Sequence, residues 1–248
     1  MSNHVFYLAV NSQALIAAGE ALKAKGYGVV NRPCEAVTDL LLPVPSMHSD
    51  DTIKGGVSLS EILKKLPAST SVFGGNLPQI PNRKTYDLLK DETYLASNAS
   101  ITAYCAIRQA MIQLPVTLRN CPILVIGWGR IGKCLCALLW ALEADVTVAA
   151  RKEEDRAIAN ALGYRTTNIE DMDADINRYR ILFNTVPAQV LDENSLVHCR
   201  DNCLKIDLAS SPGIIGADVI WARGLPGKDA PESSGKLIAK TITRLLNS

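Results

Sequence analysis

Cys121-Pro122-Ile123-Leu124-Val125-Ile126-Gly127-Trp128-Gly129-Arg130-Ile131-Gly132 carries the most informative pattern in the chain. From Cys121 to Ile126 the residues are almost continuously apolar, as expected of a strand buried on both faces of a parallel sheet. The next six have G-x-G-x-x-G spacing, and Ile131 to Glu143 follows with helical periodicity. A buried strand, a glycine turn and a helix in this order are the context that the pattern requires. The first glycine permits the tight turn, the second lets backbone amides approach a pyrophosphate, and the third lets helix and strand pack closely. An anion then sits where the first N–H groups of the helix are unpaired and its dipole favours negative charge. Gly127, Trp128, Gly129, Arg130, Ile131 and Gly132 are therefore expected to bind a dinucleotide, the plainer alternative being a glycine-rich turn with no ligand.

Downstream, apolar runs and amphipathic segments keep alternating. A strand is expected over Val146 to Ala150, a helix over Glu153 to Leu162, and further strands over Arg180 to Phe183, Leu204 to Leu208 and Val219 to Ala222. The strand Val146 to Ala150 ends in Arg151-Lys152, with no acidic residue before Glu153. An acidic residue there would bind a free ribose 2′-hydroxyl, whereas Arg151 can pair with a 2′-phosphate or lie against the adenine ring. NADP is therefore expected ahead of NAD, with Arg151 and Lys152 as cofactor contacts, the plainer alternative being a solvated basic pair. Two turns, Asn184-Thr185-Val186-Pro187-Ala188 and Asp207-Leu208-Ala209-Ser210-Ser211-Pro212-Gly213, follow successive strands and should lie on the carboxyl edge of the sheet. Thr185, Val186, Pro187 and Leu208 are accordingly expected at the nicotinamide end of the cofactor. Arg223 to Gly235 reads as a loop with Lys228 as its central cation, and a last helix is expected over Glu232 to Leu246.

Upstream, a smaller α/β layer is expected from strands Val5 to Val10, Gly28 to Val30, Asp39 to Val44 and Ser71 to Phe73, with helices Gln13 to Lys25 and Leu59 to Leu66. A helix over Ser100 to Leu114, ended by Pro115, would connect this layer to the next. The fold class is therefore α/β: two Rossmann-like layers, a small N-terminal α/β domain (1–120) and a doubly wound parallel-sheet dinucleotide-binding domain (121–248), joined by a long helix. Ligands of such sheets bind at the strands' carboxyl ends, so Ser46 and Asn76 are candidate substrate contacts, and Asn98, Thr102 and Lys228 candidate catalytic groups, in a cleft between the layers. His48 lies in a polar turn and is expected to be solvated.

The 248 residues include 26 Lys+Arg against 25 Asp+Glu, a net charge of +1, so no general field would gather nucleic acid or an anionic membrane. Apolar runs are far shorter than the roughly 20 residues needed to span a bilayer, and the N-terminus has no signal-peptide pattern. A cytoplasmic protein is expected. Seven cysteines include no Cys-x-x-Cys pair. His198, Cys199 and Cys203 have metal-like spacing with no second cluster to complete a tetrahedral site, so no metal is expected.

The strings Ile126 to Gly132, Asn184 to Ala188, Asp207 to Ser210 and Gly224-Leu225-Pro226-Gly227 with Ala230-Pro231 together resemble the A-subunit family of dipicolinate synthase. The resemblance runs from about residue 70 to the C-terminus, and more loosely through Leu42-Pro43-Val44-Pro45 before that. It implies a Rossmann-type, pyridine-nucleotide-dependent oxidoreductase acting with a flavoprotein-like B subunit, which together form dipicolinate during sporulation. The implied substrate is dihydrodipicolinate or a related small dicarboxylate, and a homo-oligomer is expected. Three features depart from the family, one being that its Asp-Leu-Ala-Ser-x-Pro-Gly-Gly loses the last glycine, with Ile214 after Ser211-Pro212-Gly213. The family's Asn-x-x-Pro-Thr-Ala-Glu-Gly becomes Asn98-Ala99-Ser100-Ile101-Thr102-Ala103-Tyr104-Cys105, with Tyr104 in place of the acid. The first half is also some tens of residues shorter. These departures leave two alternatives: an NADP-binding scaffold or regulatory subunit without chemistry of its own, or a hydroxy-acid or shikimate-type dehydrogenase.

Overall fold

The computed structural model describes residues 4–47 and 52–247, so His48 lies outside the described residues. In chain order the first elements are β1 (Val5–Leu8), α1 (Gln13–Lys23), β2 (Gly28–Val30), β3 (Asp39–Leu41), β4 (Thr52–Ile53), β5 (Val57–Ser58), α2 (Leu59–Lys64), β6 (Ser71–Gly74), β7 (Thr85–Asp87) and α3 (Glu92–Gln113). There follow β8 (Pro122–Ile126), α4 (Arg130–Ala141), β9 (Asp145–Ala149), α5 (Glu153–Ala161), β10 (Arg165–Thr167), β11 (Ile181–Asn184), α6 (Glu193–Leu196), β12 (Leu204–Asp207) and β13 (Val219–Trp221). Two helices, α7 (Leu225–Asp229) and α8 (Pro231–Leu246), complete the chain. No helix among the described residues is long and apolar enough to cross a membrane.

Two compact units result, one of residues 1–98 and 226–248, the other of 99–225. In the first, a parallel sheet has the order β2-β1-β3-β6-β7. The second holds a parallel six-stranded sheet, β10-β9-β8-β11-β12-β13. Numbered within its own unit, that sheet is 3-2-1-4-5-6, the doubly wound order in which ligands meet the carboxyl ends of the strands. The α/β class, the two Rossmann-like layers and the long joining helix are as expected.

The division of the chain differs from the expected 1–120 and 121–248. Its boundary falls inside α3, and the C-terminal helix joins the N-terminal unit. The cause is packing. α1 starts at an N-cap, the Ser12 hydroxyl accepting from the Leu15 N–H at 3.3 Å, and buries Leu15, Ala18, Gly19 and Leu22 along one stripe. α8 presents Gly235, Ile238, Ala239 and Ile242 to that stripe, and the last three share one apolar cluster with Phe6, Leu15 and Phe73. A Cβ at Gly235 would come 2.5 Å from the Ala14 carbonyl oxygen and 2.6 Å from the Ala18 nitrogen, so the two backbones meet there. Burying three aliphatic side chains of α8 in this way stabilises the unit by several kcal/mol, at about 1.5–3 kcal/mol for each large one.

Three local differences have simple origins. Thr85-Tyr86-Asp87 is too short to show alternation, but Tyr86 stacks on its cross-strand partner Phe73 at 4.4 Å and makes β7 a strand. Arg165-Thr166-Thr167 pairs with β9 and adds the edge strand β10, with an Arg165–Asp145 ion pair across the two strands. Leu225 to Asp229, expected within a loop, is helical: the positive φ (73°) of Gly224 turns the chain and Pro226 supplies a φ suited to a first helical turn.

Candidate functional site

The strands of the second sheet end in register. Ile126 is opposite Ala149 on one side and Asn184 on the other, and Asn184 is opposite Asp207. Four turns therefore emerge along one carboxyl edge, at residues 127–129, 150–152, 185–188 and 208–213. Gly127 has φ +104°, and a Cβ there would lie 2.4 Å from Thr185 Oγ1. Gly132 is packed tighter still, since its Cβ would sit 2.1 Å from the Gly127 carbonyl oxygen. Gly129 differs from both: nothing of the protein lies within 4 Å of its Cβ position. It is also the N-cap of α4, a 12-residue helix whose first turn has no side-chain cap. A glycine at 129 leaves the approach to the start of α4 unobstructed by a side chain. The turn fits a dinucleotide pyrophosphate.

Arg130 is exposed and Ile131 half-buried at the start of α4. Trp128 is buried, edge-on to Tyr164 at 5.7 Å with the Lys133 ammonium 5.9 Å from its ring. Arg151 and Lys152 are exposed at the end of β9. Arg156 braces that turn by donating to the Ala150 and Arg151 carbonyls at 2.8 and 2.6 Å. Burial raises the thiol of Cys134 and pushes that of Cys136 up to about 12, so neither α4 cysteine is a nucleophile near neutrality.

The two later turns are held by a pair that sequence reasoning did not single out. Asp207 is fully buried, and its carboxyl oxygens accept from Asn184 Nδ2 (3.0 Å) and the amides of Ala209 (2.9 Å), Gly213 (2.6 Å) and Ile214 (2.9 Å). Asn184 in turn donates to the Val186 carbonyl at 3.0 Å and accepts from the Val186 N–H at 2.9 Å. The available signal was a polar residue ending each of two successive apolar strands, Ile181-Leu182-Phe183-Asn184 and Leu204-Lys205-Ile206-Asp207. Thr185 turns its hydroxyl to the Ile126 carbonyl at 2.9 Å, below the glycine turn. Pro187 is exposed, Val186 half-buried, and Leu208 buried with its N–H donated to Asn184 at 2.8 Å.

On the first unit, Ser46 has a different task from the substrate contact expected of it. It is 0% exposed; its hydroxyl donates to the Pro43 carbonyl at 2.7 Å and accepts from the Gly75 N–H at 2.9 Å, bracing the turns after β3 and β6. Asn76 is exposed at φ 53°, its N–H bound to Asp87 at 3.0 Å. Asn98 and Thr102 lie one turn apart on α3, half-buried and buried respectively, while Tyr104 is 62% exposed. Lys228 is exposed on α7.

The strand order, the open glycine turn and the register of the strand ends define an α/β protein with a dehydrogenase-like, Rossmann-type fold. More particularly, the chain is a homologue of the A subunit of dipicolinate synthase. It is 25% identical over 235 residues to that protein of Bacillus subtilis, which covers 86% of this chain and 79% of the relative. The crystal structure of the dipicolinate synthase A subunit from Bacillus halodurans superposes with a TM-score of 0.86 at 22% identity, covering 100% of this chain and 99% of that one. A transhydrogenase from Sinorhizobium meliloti shares the fold at TM-score 0.72 and 13% identity, over 98% and 93% of the two chains. No family model matches the chain.

Proposed function

We propose that this protein is an NADP-dependent oxidoreductase, moving hydride between NADP and dihydrodipicolinate or a related small dicarboxylate, with a flavoprotein-like B subunit as partner. The observation that carries the cofactor part is the pairing of an uncapped α4 and open Gly129 with a basic end to β9. When bound, the nicotinamide supplies the hydride acceptor or donor. The first-turn amides of α4 hold the pyrophosphate, and Arg151 and Lys152 pair with the 2′-phosphate. Asp207 and Asn184 keep the turns after β11 and β12 in one conformation, so that Val186, Pro187 and Leu208 offer a preset wall to the nicotinamide end. Asn98, Thr102 and Lys228 are the candidate groups for binding the substrate's carboxylates or moving its proton. The substrate and partner come from the homology to the dipicolinate synthase A subunit. On this reading the protein works in the cytoplasm during sporulation, as a homo-oligomer.

Calorimetric titration with NADP and NAD, on the wild type and Arg151→Ala, tests the cofactor. NADP should bind more tightly, and the substitution should weaken NADP by roughly 10- to 100-fold, the worth of a charge-assisted contact, while leaving NAD unchanged. Tighter NAD binding, or no effect of the substitution, removes the 2′-phosphate assignment. Absence of binding to either nucleotide removes the oxidoreductase reading. One observation favours a second reading, an NADP-binding scaffold subunit: Tyr104, which replaces the acid of the family pattern, is largely exposed. Nucleotide binding without turnover of dihydrodipicolinate, with and without the B subunit, would select the scaffold.

A further inference from the structure

Cys199 and Cys203 lie ahead of β12, at the end of the sheet opposite the glycine turn. After α6 the chain makes two successive tight turns, the Cys199 N–H donating to the Leu196 carbonyl at 3.1 Å and the Cys203 N–H to the Arg200 carbonyl at 3.0 Å. These turns bring both sulfurs to one apolar cluster, with Cys203 7% exposed inside it and Cys199 half-buried against it. There the two thiols adjoin, Cys203 within reach of the charge on Cys199, and the Cys203 thiol donates to the Leu204 carbonyl at 4.0 Å. The arrangement is asymmetric in the way that thiol–disulfide chemistry needs: one sulfur is reachable from solvent, and the other waits behind it.

The charge environment sharpens that asymmetry. The neighbouring Cys203 side chain holds the Cys199 thiol below its ordinary value, against its own burial, with the Lys205 ammonium acting in the same direction and Asp173 opposing. Cys203 is pushed up by the adjoining Cys199 side chain and by burial. Of the two, Cys199 is therefore the sulfur that deprotonates more readily, and Cys203 the one that keeps its proton. The Asp173 carboxylate is partly engaged, accepting from Ser195 Oγ at 2.8 Å.

We propose that Cys199 and Cys203 form a peroxide-oxidisable dithiol, with Cys199 the attacking and Cys203 the resolving sulfur. Cys199 as thiolate attacks one oxygen of a hydroperoxide. An S–O bond forms, the O–O bond breaks, and the leaving alkoxide or hydroxide takes a proton and departs as alcohol or water. The Cys203 sulfur then attacks the Cys199 sulfenic acid, giving up its proton as the hydroxyl leaves as water, and the S–S bond closes. In all, two thiols lose two hydrogens and the peroxide gains two electrons. A dithiol reductant reverses the step. No nucleotide takes part, so the proposal stands apart from the oxidoreductase reading.

The test uses the full-length wild-type protein and one equivalent of hydrogen peroxide at neutral pH, followed by chymotryptic mapping under non-reducing conditions. The peptide Val197–Leu204 should lose two hydrogens and regain them with dithiothreitol. In Cys203→Ser, dimedone should label Cys199, and in Cys199→Ser it should leave Cys203 unlabelled. Oxidation of the exposed Cys34 ahead of Cys199 would overturn the proposal, as would sulfinic acid at Cys199 with no disulfide in the wild type. If either variant fails to fold, the wild-type map decides alone. A second wild-type measurement adds to it: the pH midpoint for alkylation of Cys199 should lie below that of N-acetylcysteine, and a midpoint at or above it counts against the assignment.

Discussion

Gly129 and Gly132 belong to one motif for opposite reasons. A methyl group at 132 would overlap the Gly127 carbonyl, so this glycine serves the contact between helix and strand. At 129 a methyl group meets no protein atom, and the backbone has an ordinary extended conformation at φ −80° and ψ −168°. The consequences separate cleanly. Gly132→Ala should lower the melting temperature markedly, because the clash is with backbone that cannot move aside. Gly129→Ala should fold with stability within about 0.5 kcal/mol of the wild type yet bind dinucleotide at least roughly tenfold more weakly. Thermal unfolding and calorimetry on the same two proteins check both outcomes, and loss of stability without loss of binding at 129 would assign that glycine to the fold. Ser46 shows the reverse case, a residue of functional type whose hydroxyl is used up within its own turn.

Among the elements, α8 is the one whose local sequence says least about its place. Pro231 begins it and its periodicity makes it a helix, but neither says which surface it covers. Close approach to α1 does, through Gly235 against Ala14, Ala17 and Ala18. Gly235→Ala should therefore destabilise the protein by about 1–3 kcal/mol despite the better helix propensity of alanine. Gly227→Ala in α7, where nothing lies within 4 Å of the new methyl, should be neutral or stabilising. Chemical denaturation of the pair measures the difference, and equal effects would mean that α8 does not pack this way. β7 makes the same point on a smaller scale, since a three-residue strand depends on one ring stacked on the neighbouring strand.

At the scale of the whole molecule, the chain's last 23 residues complete the unit that its first 98 begin. Arg244 near the end of α8 donates to Asp91 at 2.6 Å, across 153 residues of sequence. Burial raises the Asp91 carboxyl, but the hydrogen bonds from Arg244 and the Tyr94 amide, with the Arg244 charge, outweigh it and hold the group below the usual carboxylate value. A carboxyl depressed in the folded state contributes stability that is fully present above its unfolded pKa of about 3.9 and is lost as the pH falls through the folded value. Arg244→Ala should thus lower the melting temperature by a few degrees at neutral pH, for a partly exposed pair worth about 1 kcal/mol, and the gap from wild type should narrow below about pH 4. A gap independent of pH would remove the ion pair as its cause. Much of this protein was legible along the chain. Cys121 to Gly132 announced a strand, a turn and a helix because those states depend on neighbours a few residues apart. Arg151 and Lys152 were readable as a basic strand end for the same reason. What the linear pattern left open depends on partners distant in sequence. Asp207 becomes the anchor of two turns only when β11 and β12 lie side by side, Cys199 meets Cys203 only through a particular pair of turns, and α8 returns to α1 only because an apolar stripe there needs covering. Local sequence by itself determined which segments are strands, helices and a phosphate-type turn; burial and long-range hydrogen bonding determined which unit each segment completes and which polar groups are left to act, because those free energies exist only once distant segments touch.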